Sequence, residues 1–73
     1  MFVNTARVDT ADSSTLTYAG AGRCRGCTIT FTTHNSRASH GMLTLESGYQ
    51  IPLRALDLEG AAKTALQYTQ AGF

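Results

Sequence analysis

The strictest constraint on the fold of this chain is the run Cys27-Thr28-Ile29-Thr30-Phe31-Thr32-Thr33. Its apolar side chains fall at every second position, with threonine between them. That period of two is the signature of a half-buried strand, with Cys27, Ile29 and Phe31 facing a core and β-branched threonines facing water. A helix cannot use this pattern, so the centre of the chain must be sheet.

The flanking sequence extends the strand into hairpins. Taking Arg25-Gly26 as a two-residue turn sets Cys24 opposite Cys27, Gly22 opposite Ile29, Gly20 opposite Phe31 and Tyr18 opposite Thr33. Leu16 and Tyr18 then share the apolar face, and Ile29 and Phe31 lie over the bare backbone of Gly22 and Gly20. A second hairpin is expected in residues 42 to 53. Here a three-residue loop, Glu46-Ser47-Gly48 with Gly48 left-handed, pairs Leu45 with Tyr49 and Leu43 with Ile51. Pro52 lacks an N–H and marks an edge strand. The segment Phe2 to Val8 reads as a first strand without such protection, an invitation to pair with another chain.

The C-terminal third changes period. Asp57 suits an N-cap and Glu59 the first helical turn. Leu58, Ala61, Ala62, Ala65, Leu66 and Thr69 form a stripe at helical spacing, and Gly72 suits the stop. The fold class expected is α+β: an antiparallel sheet of four to five strands, a meander of hairpins, with one C-terminal helix packed on one face. At 73 residues the chain reads as one domain. A chain of this length buries only ~60% of its unfolded surface. Its stability should be on the order of 4–10 kcal/mol.

The net charge of +1 is ordinary, but its distribution is uneven. From Ser13 to Leu45 the chain carries Arg23, Arg25, Arg37, His34 and His40 and no acid. Five of its six basic residues are arginine, which favours planar contacts to carboxylate or phosphate. Arg23, Arg25, His34, Arg37, His40 and Arg54 are therefore the candidate partner-binding residues, for a protein with an acidic or phosphate-bearing surface.

Chemistry is sparse. Cys24, Cys27, His34 and His40 have the look of a zinc set, and Cys24 and Cys27 are the metal alternative. However, an extended strand puts His34 about 20 Å from Cys27, too far for one tetrahedral ion. A thioredoxin-type Cys-x-x-Cys opens a helix, whereas here a strand follows. The loop His34 to Gly41 has no acid to orient a histidine, and no phosphate-loop or nucleophile motif occurs. The expectation is a non-enzyme without cofactors. No stretch is long or apolar enough to span a membrane, and "MFVNTARVD" lacks the features of a signal peptide, so a cytoplasmic location is expected.

Small domains without a catalytic set act by occupying a surface. The leading expectation is a protein-binding module, such as a phage- or mobile-element-encoded inhibitor of a host nucleoprotein, anti-CRISPR-like in role. One alternative is a nucleic-acid binder using the arginine and histidine loops, with zinc at Cys24 and Cys27. A low net charge, a single lysine and few aromatics that could serve as stacking platforms weigh against it. Another is a self-associating structural subunit that dimerises through an edge strand.

Overall fold

In the computed structural model, which describes all 73 residues, five strands form one antiparallel sheet in chain order. They are β1 (Phe2–Asp9), β2 (Ser13–Gly20), β3 (Thr28–His34), β4 (His40–Thr44) and β5 (Gln50–Leu53), followed by helix α1 (Leu58–Gln70). This is the α+β meander expected from the alternation and the terminal stripe. The molecule is elongated, 39 × 20 × 20 Å. No helix is long and apolar enough to cross a membrane.

The alternation in β3 is realised as read: Cys27, Ile29 and Phe31 are buried, Thr28 and Thr30 exposed. Tyr18, Ile29, Leu43 and Ile51 form one line across the inner face, and Leu16, Phe31, Gly41 and Leu53 the next. Helix α1 lays Ala61 and Ala65 against this face, in one cluster with Phe2, Tyr18, Cys24, Cys27, Ile29, Leu43 and Leu45. Thr69 departs from the expected stripe and is exposed, while Tyr68 packs against the cluster instead. The other face is lined by threonines, with Thr15 and Thr32 sharing a hydrogen bond of 3.2 Å.

The β4–β5 hairpin has the expected register. Leu43 lies opposite Ile51, the Leu45 N–H donates to the Tyr49 carbonyl at 2.8 Å, and Gly48 has φ +96°. Strand β5, with Pro52, lies at a sheet edge.

The β2–β3 connection differs from the two-residue hairpin. Tyr18 lies opposite Ile29 rather than Thr33, a slip of four residues. Because the slip is even, every side chain keeps its face. Strand β2 stops at Gly20, and seven residues, 21 to 27, make the connection. They include a 3-10 turn at Gly22–Cys24 and then a turn closed by Cys27 N–H donating to the Cys24 carbonyl at 3.0 Å. Arg25 (φ −54°, ψ 132°) and Gly26 (φ +88°) have the angles of a type II turn, which asks positive φ of Gly26 alone. Gly20 therefore lies beneath the Cys24 carbonyl rather than beneath Phe31. The stacking of Phe31 over a glycine occurs across β4, where Phe31 covers Gly41.

The first strand is also less open than its sequence suggests. The β1–β2 register shifts between Asn4 and Ala6, leaving Thr5 as a bulge. The Asn4 amide donates to the carbonyls of Ala6 and Thr17, both at 3.1 Å, and the Thr5 hydroxyl donates to Thr17 at 3.3 Å. A bulge bends an edge away from regular pairing. Both sheet edges are thus interrupted, β1 by the bulge and β5 by Pro52.

Helix α1 is closed at both ends. The Asp57 carboxylate accepts from the Gly60 N–H at 3.0 Å, and Gly60 leaves the space that carboxylate occupies. At the far end Gly72 (φ +90°) and Phe73 donate to the carbonyls of Thr69 and Tyr68, the paired bonds of a Schellman stop. Replacing Asp57 with alanine should cost about 1 kcal/mol, read as a lower urea midpoint at unchanged slope.

Candidate functional site

The six polar candidates fall into two groups at opposite ends of β3. Arg23 and Arg25 sit on the turn that precedes the strand; His34 ends it. His40 begins β4, and its ring stacks on that of His34 with centroids 5.1 Å apart. Both histidines lie on the threonine face, His34 opposite Ser13 and His40 opposite Thr32. Arg37 is on the exposed loop between β3 and β4, and Arg54 follows Leu53, the residue opposite Gly41. Asn35 ties this loop to the β1–β2 connection, bonding to the carbonyls of Asp12 and Ala11. The structure therefore brings Arg23 to Arg25, and His34 to His40, but does not join the two groups.

The thiols and imidazoles are separated in the same way. Cys24 and Cys27 are free and buried under α1, at the end of β3 opposite the histidines. No group of three or more His, Cys, Asp or Glu side chains lies together anywhere in the chain.

Arg23 and Arg25 line a cleft of about 340 Å³. Its floor is Cys27 and Leu45; Glu46, Ser47, Thr69 and Phe73 complete the wall. The loop that supplies Glu46 and Ser47 is the three-residue turn fixed by Gly48; Arg25 comes from the turn fixed by Gly26, and Arg23 from the 3-10 turn before it. The Glu46 side chain crosses the bare Cα of Gly26, where a methyl group would come within 2.8 Å of Cγ. The only ion pair in the molecule is Arg7–Asp9, at 3.1 Å. Neither guanidinium of the cleft is held by a carboxylate.

Phe73 joins this cleft to an aromatic group. Its ring lies 4.9 Å from Tyr49 and 5.4 Å from Tyr68, and Tyr49 and Tyr68 are 5.8 Å apart. Tyr49 is 43% exposed and Phe73 51%. Two residues before Ile51, Tyr49 is on the same side of the sheet, but beyond the end of the cluster that face opens to solvent. Tyr68 and Phe73 were not distinguished in the sequence at all. The signal that finds them is the helix stop: in a Schellman motif the residue after the left-handed glycine touches the residue five before it. Here those residues are Phe73 and Tyr68, both aromatic.

The Asp9 carboxylate is held below the usual range first by the Ser14 hydroxyl, at 2.7 Å, and then by Arg7. Its contribution to stability is present above the ordinary aspartate pKa and is lost as pH falls through the lowered value. A shallow apolar hollow of about 310 Å³ beside Met1, Phe2 and Leu58 carries one charged wall residue, Glu59.

No protein-family model, curated protein sequence or solved structure matches the chain.

Proposed function

We propose that the chain is a small non-catalytic protein-binding module that works by occupying its partner's surface. Its contact site on this reading is the cleft of Arg23 and Arg25 with the aromatic rim of Tyr49, Tyr68 and Phe73. The observation that carries the proposal is the adjacency of two guanidiniums that no carboxylate pairs with, Glu46 sharing their cleft, and a group of mutually packed rings of which Tyr49 and Phe73 are exposed. Tyrosine and arginine dominate interface hot spots because each buries a large, rigid area while retaining polar contacts. The ring packing holds the rim in place before a partner arrives, which lowers the entropy lost on binding. The partner this surface fits bears acidic or phosphate groups. An inhibitor of a host nucleoprotein, encoded by a phage or mobile element and acting in the cytoplasm, fits that chemistry. His34, Arg37, His40 and Arg54 form a second polar surface at the far end and are not required for this contact.

The aromatic rim also favours a second reading, a single-stranded nucleic-acid binder, because bases stack on exposed rings. The protein reading is stronger because these rings pack on one another and the net charge is only +1. Self-association through edge strands is the weaker third reading, since both edges are interrupted.

The test is capture of a partner from the native host followed by kinetics with charge-reversed chain. Arg23→Glu with Arg25→Glu should slow association roughly tenfold at low salt, with a smaller difference at high salt. Tyr49→Ala should mainly speed dissociation. Equal kinetics for all three proteins would exclude the cleft as the contact site. Submicromolar, salt-steep binding to unstructured oligonucleotides would put the nucleic-acid reading first.

A further inference from the structure

Both thiols belong to the core cluster, and Cys27 also lines the cleft. We propose that Cys24 and Cys27 form a reactive dithiol that closes into an intrachain disulfide by exchange with a low-molecular-weight disulfide, Cys27 reacting first.

The turn supplies the geometry. Cys24 and Cys27 are its first and fourth residues, joined by a backbone hydrogen bond of 3.0 Å. A β-turn brings the Cα atoms of those residues within about 7 Å, and a disulfide requires about 4.4–6.8 Å. Both side chains enter the same apolar cluster beneath α1, so they leave the turn on one side. Both are free thiols. A pair at this separation with divergent side chains could not bridge; a pair directed into one cluster can.

Access separates the two. Cys27 forms part of the floor of the Arg23/Arg25 cleft and is 6% exposed. Cys24 is 1% exposed, and its Sγ lies 3.9 Å from the Ala62 carbonyl. A reagent entering the cleft meets Cys27 alone. The Cys27 thiolate attacks one sulfur of a small disulfide, RSSR, and expels RS⁻, leaving a Cys27–SR mixed disulfide. The Cys24 thiolate then attacks the Cys27 sulfur and expels the second RS⁻. Two electrons pass from the protein dithiol to the reagent, and the two thiol protons end on two RSH. The second step needs no solvent access at Cys24, because the turn already holds its attacker nearby. The motif thus reacts through proximity, without the helix N-terminus of a thioredoxin-type site.

The experiment treats the full chain in native buffer with defined mixtures of reduced and oxidised glutathione, then quenches with acid and reads intact mass. The expected product is a monomer lighter by two hydrogens. Cys24→Ala should stop at a single glutathione adduct on Cys27, and Cys27→Ala should form an adduct roughly tenfold more slowly. A wild-type chain that stays reduced in excess oxidised glutathione, halts at the adduct, or forms only intermolecular disulfides would overturn the proposal. Equal adduct rates for the two variants would do the same. Two measurements on the wild type guard against variants that fail to fold. Brief maleimide labelling should mark Cys27 before Cys24. The disulfide-to-dithiol ratio at fixed glutathione should fall roughly tenfold in denaturing urea, as the turn is lost. Simultaneous labelling of both thiols, or a ratio unchanged or raised by urea, would sink it.

Discussion

Replacing Gly20 with alanine is expected to destabilise the chain by on the order of 3 kcal/mol or more, the largest effect of any single methyl group added to it. An ideal Cβ at Gly20 would lie 1.9 Å from the Cys24 carbonyl oxygen and 2.8 Å from its carbon. Those are backbone atoms of a turn held at both ends by hydrogen bonds: the Gly20 N–H donates to the Cys27 carbonyl at 2.9 Å, and Cys27 N–H donates back to Cys24 at 3.0 Å. No side-chain rotation can clear the overlap. Relief requires the 3-10 turn to lift, and that turn carries Cys24 into the core against α1. Set against a total stability on the order of 4–10 kcal/mol, the loss would remove roughly a third to three quarters of it.

The glycine two residues on provides the comparison. Gly22 has φ +61° and nothing within 4 Å of a Cβ. Alanine there meets only backbone strain, about 1–2 kcal/mol for a left-handed residue. Urea unfolding of the two variants should rank Gly20→Ala well above Gly22→Ala. The reverse order would mean that the Cys24 turn yields more easily than its hydrogen bonds imply.

Glycines mark both where the register is legible in the sequence and where it is not. The β4–β5 register was legible because Gly48 pins the loop: one left-handed residue after a two-residue turn allows a single pairing of Leu43 with Ile51. The β2–β3 register was not, because alternation is unchanged by a slip of two or four residues. Leu16 and Tyr18 face the core in either register, and Gly20 and Gly22 look like strand residues when a bulky side chain is placed across from them. What decides the register is the 3-10 turn, which has no apolar period of its own. The bulge at Thr5 left no trace either, since it uses neither glycine nor proline but an asparagine that bonds two carbonyls. For the proposed contact site, charge patterning singles out Arg23 and Arg25 but groups them with histidines that the structure places at the other end of a strand. The aromatic rim joins Tyr49 on the sheet to Tyr68 and Phe73 at the helix stop. That proximity is tertiary, and only the helix-stop pattern of Tyr68, Gly72 and Phe73 hints at it locally.

The second large effect concerns the turn and its thiols. From sequence, serine at both Cys24 and Cys27 should cost little beyond lost burial, while Gly26→Val should damage folding. The structure keeps the second expectation and changes the first. Gly26 has φ +88°, which a β-branched residue adopts only under strain, and valine would also press on Glu46 at 2.8 Å. The expected cost is on the order of 3 kcal/mol. The thiols are core residues at one end of the sheet, however, so the double serine variant buries two hydroxyls in an apolar cluster. At roughly 1–3 kcal/mol for each unsatisfied hydroxyl, the pair should lose on the order of 2–6 kcal/mol, a range that includes the valine variant. Double alanine should lose less, because it removes volume without adding polarity. Asparagine at Gly26, which tolerates positive φ, should fall between glycine and valine. Equilibrium unfolding of these four proteins separates the causes. If double serine matched the wild type, the thiols would not be buried as described. If asparagine cost as much as valine, contact with Glu46 rather than the backbone would dominate. Adding Glu46→Ala to each Gly26 variant would then restore stability, and the size of that coupling measures the contact directly.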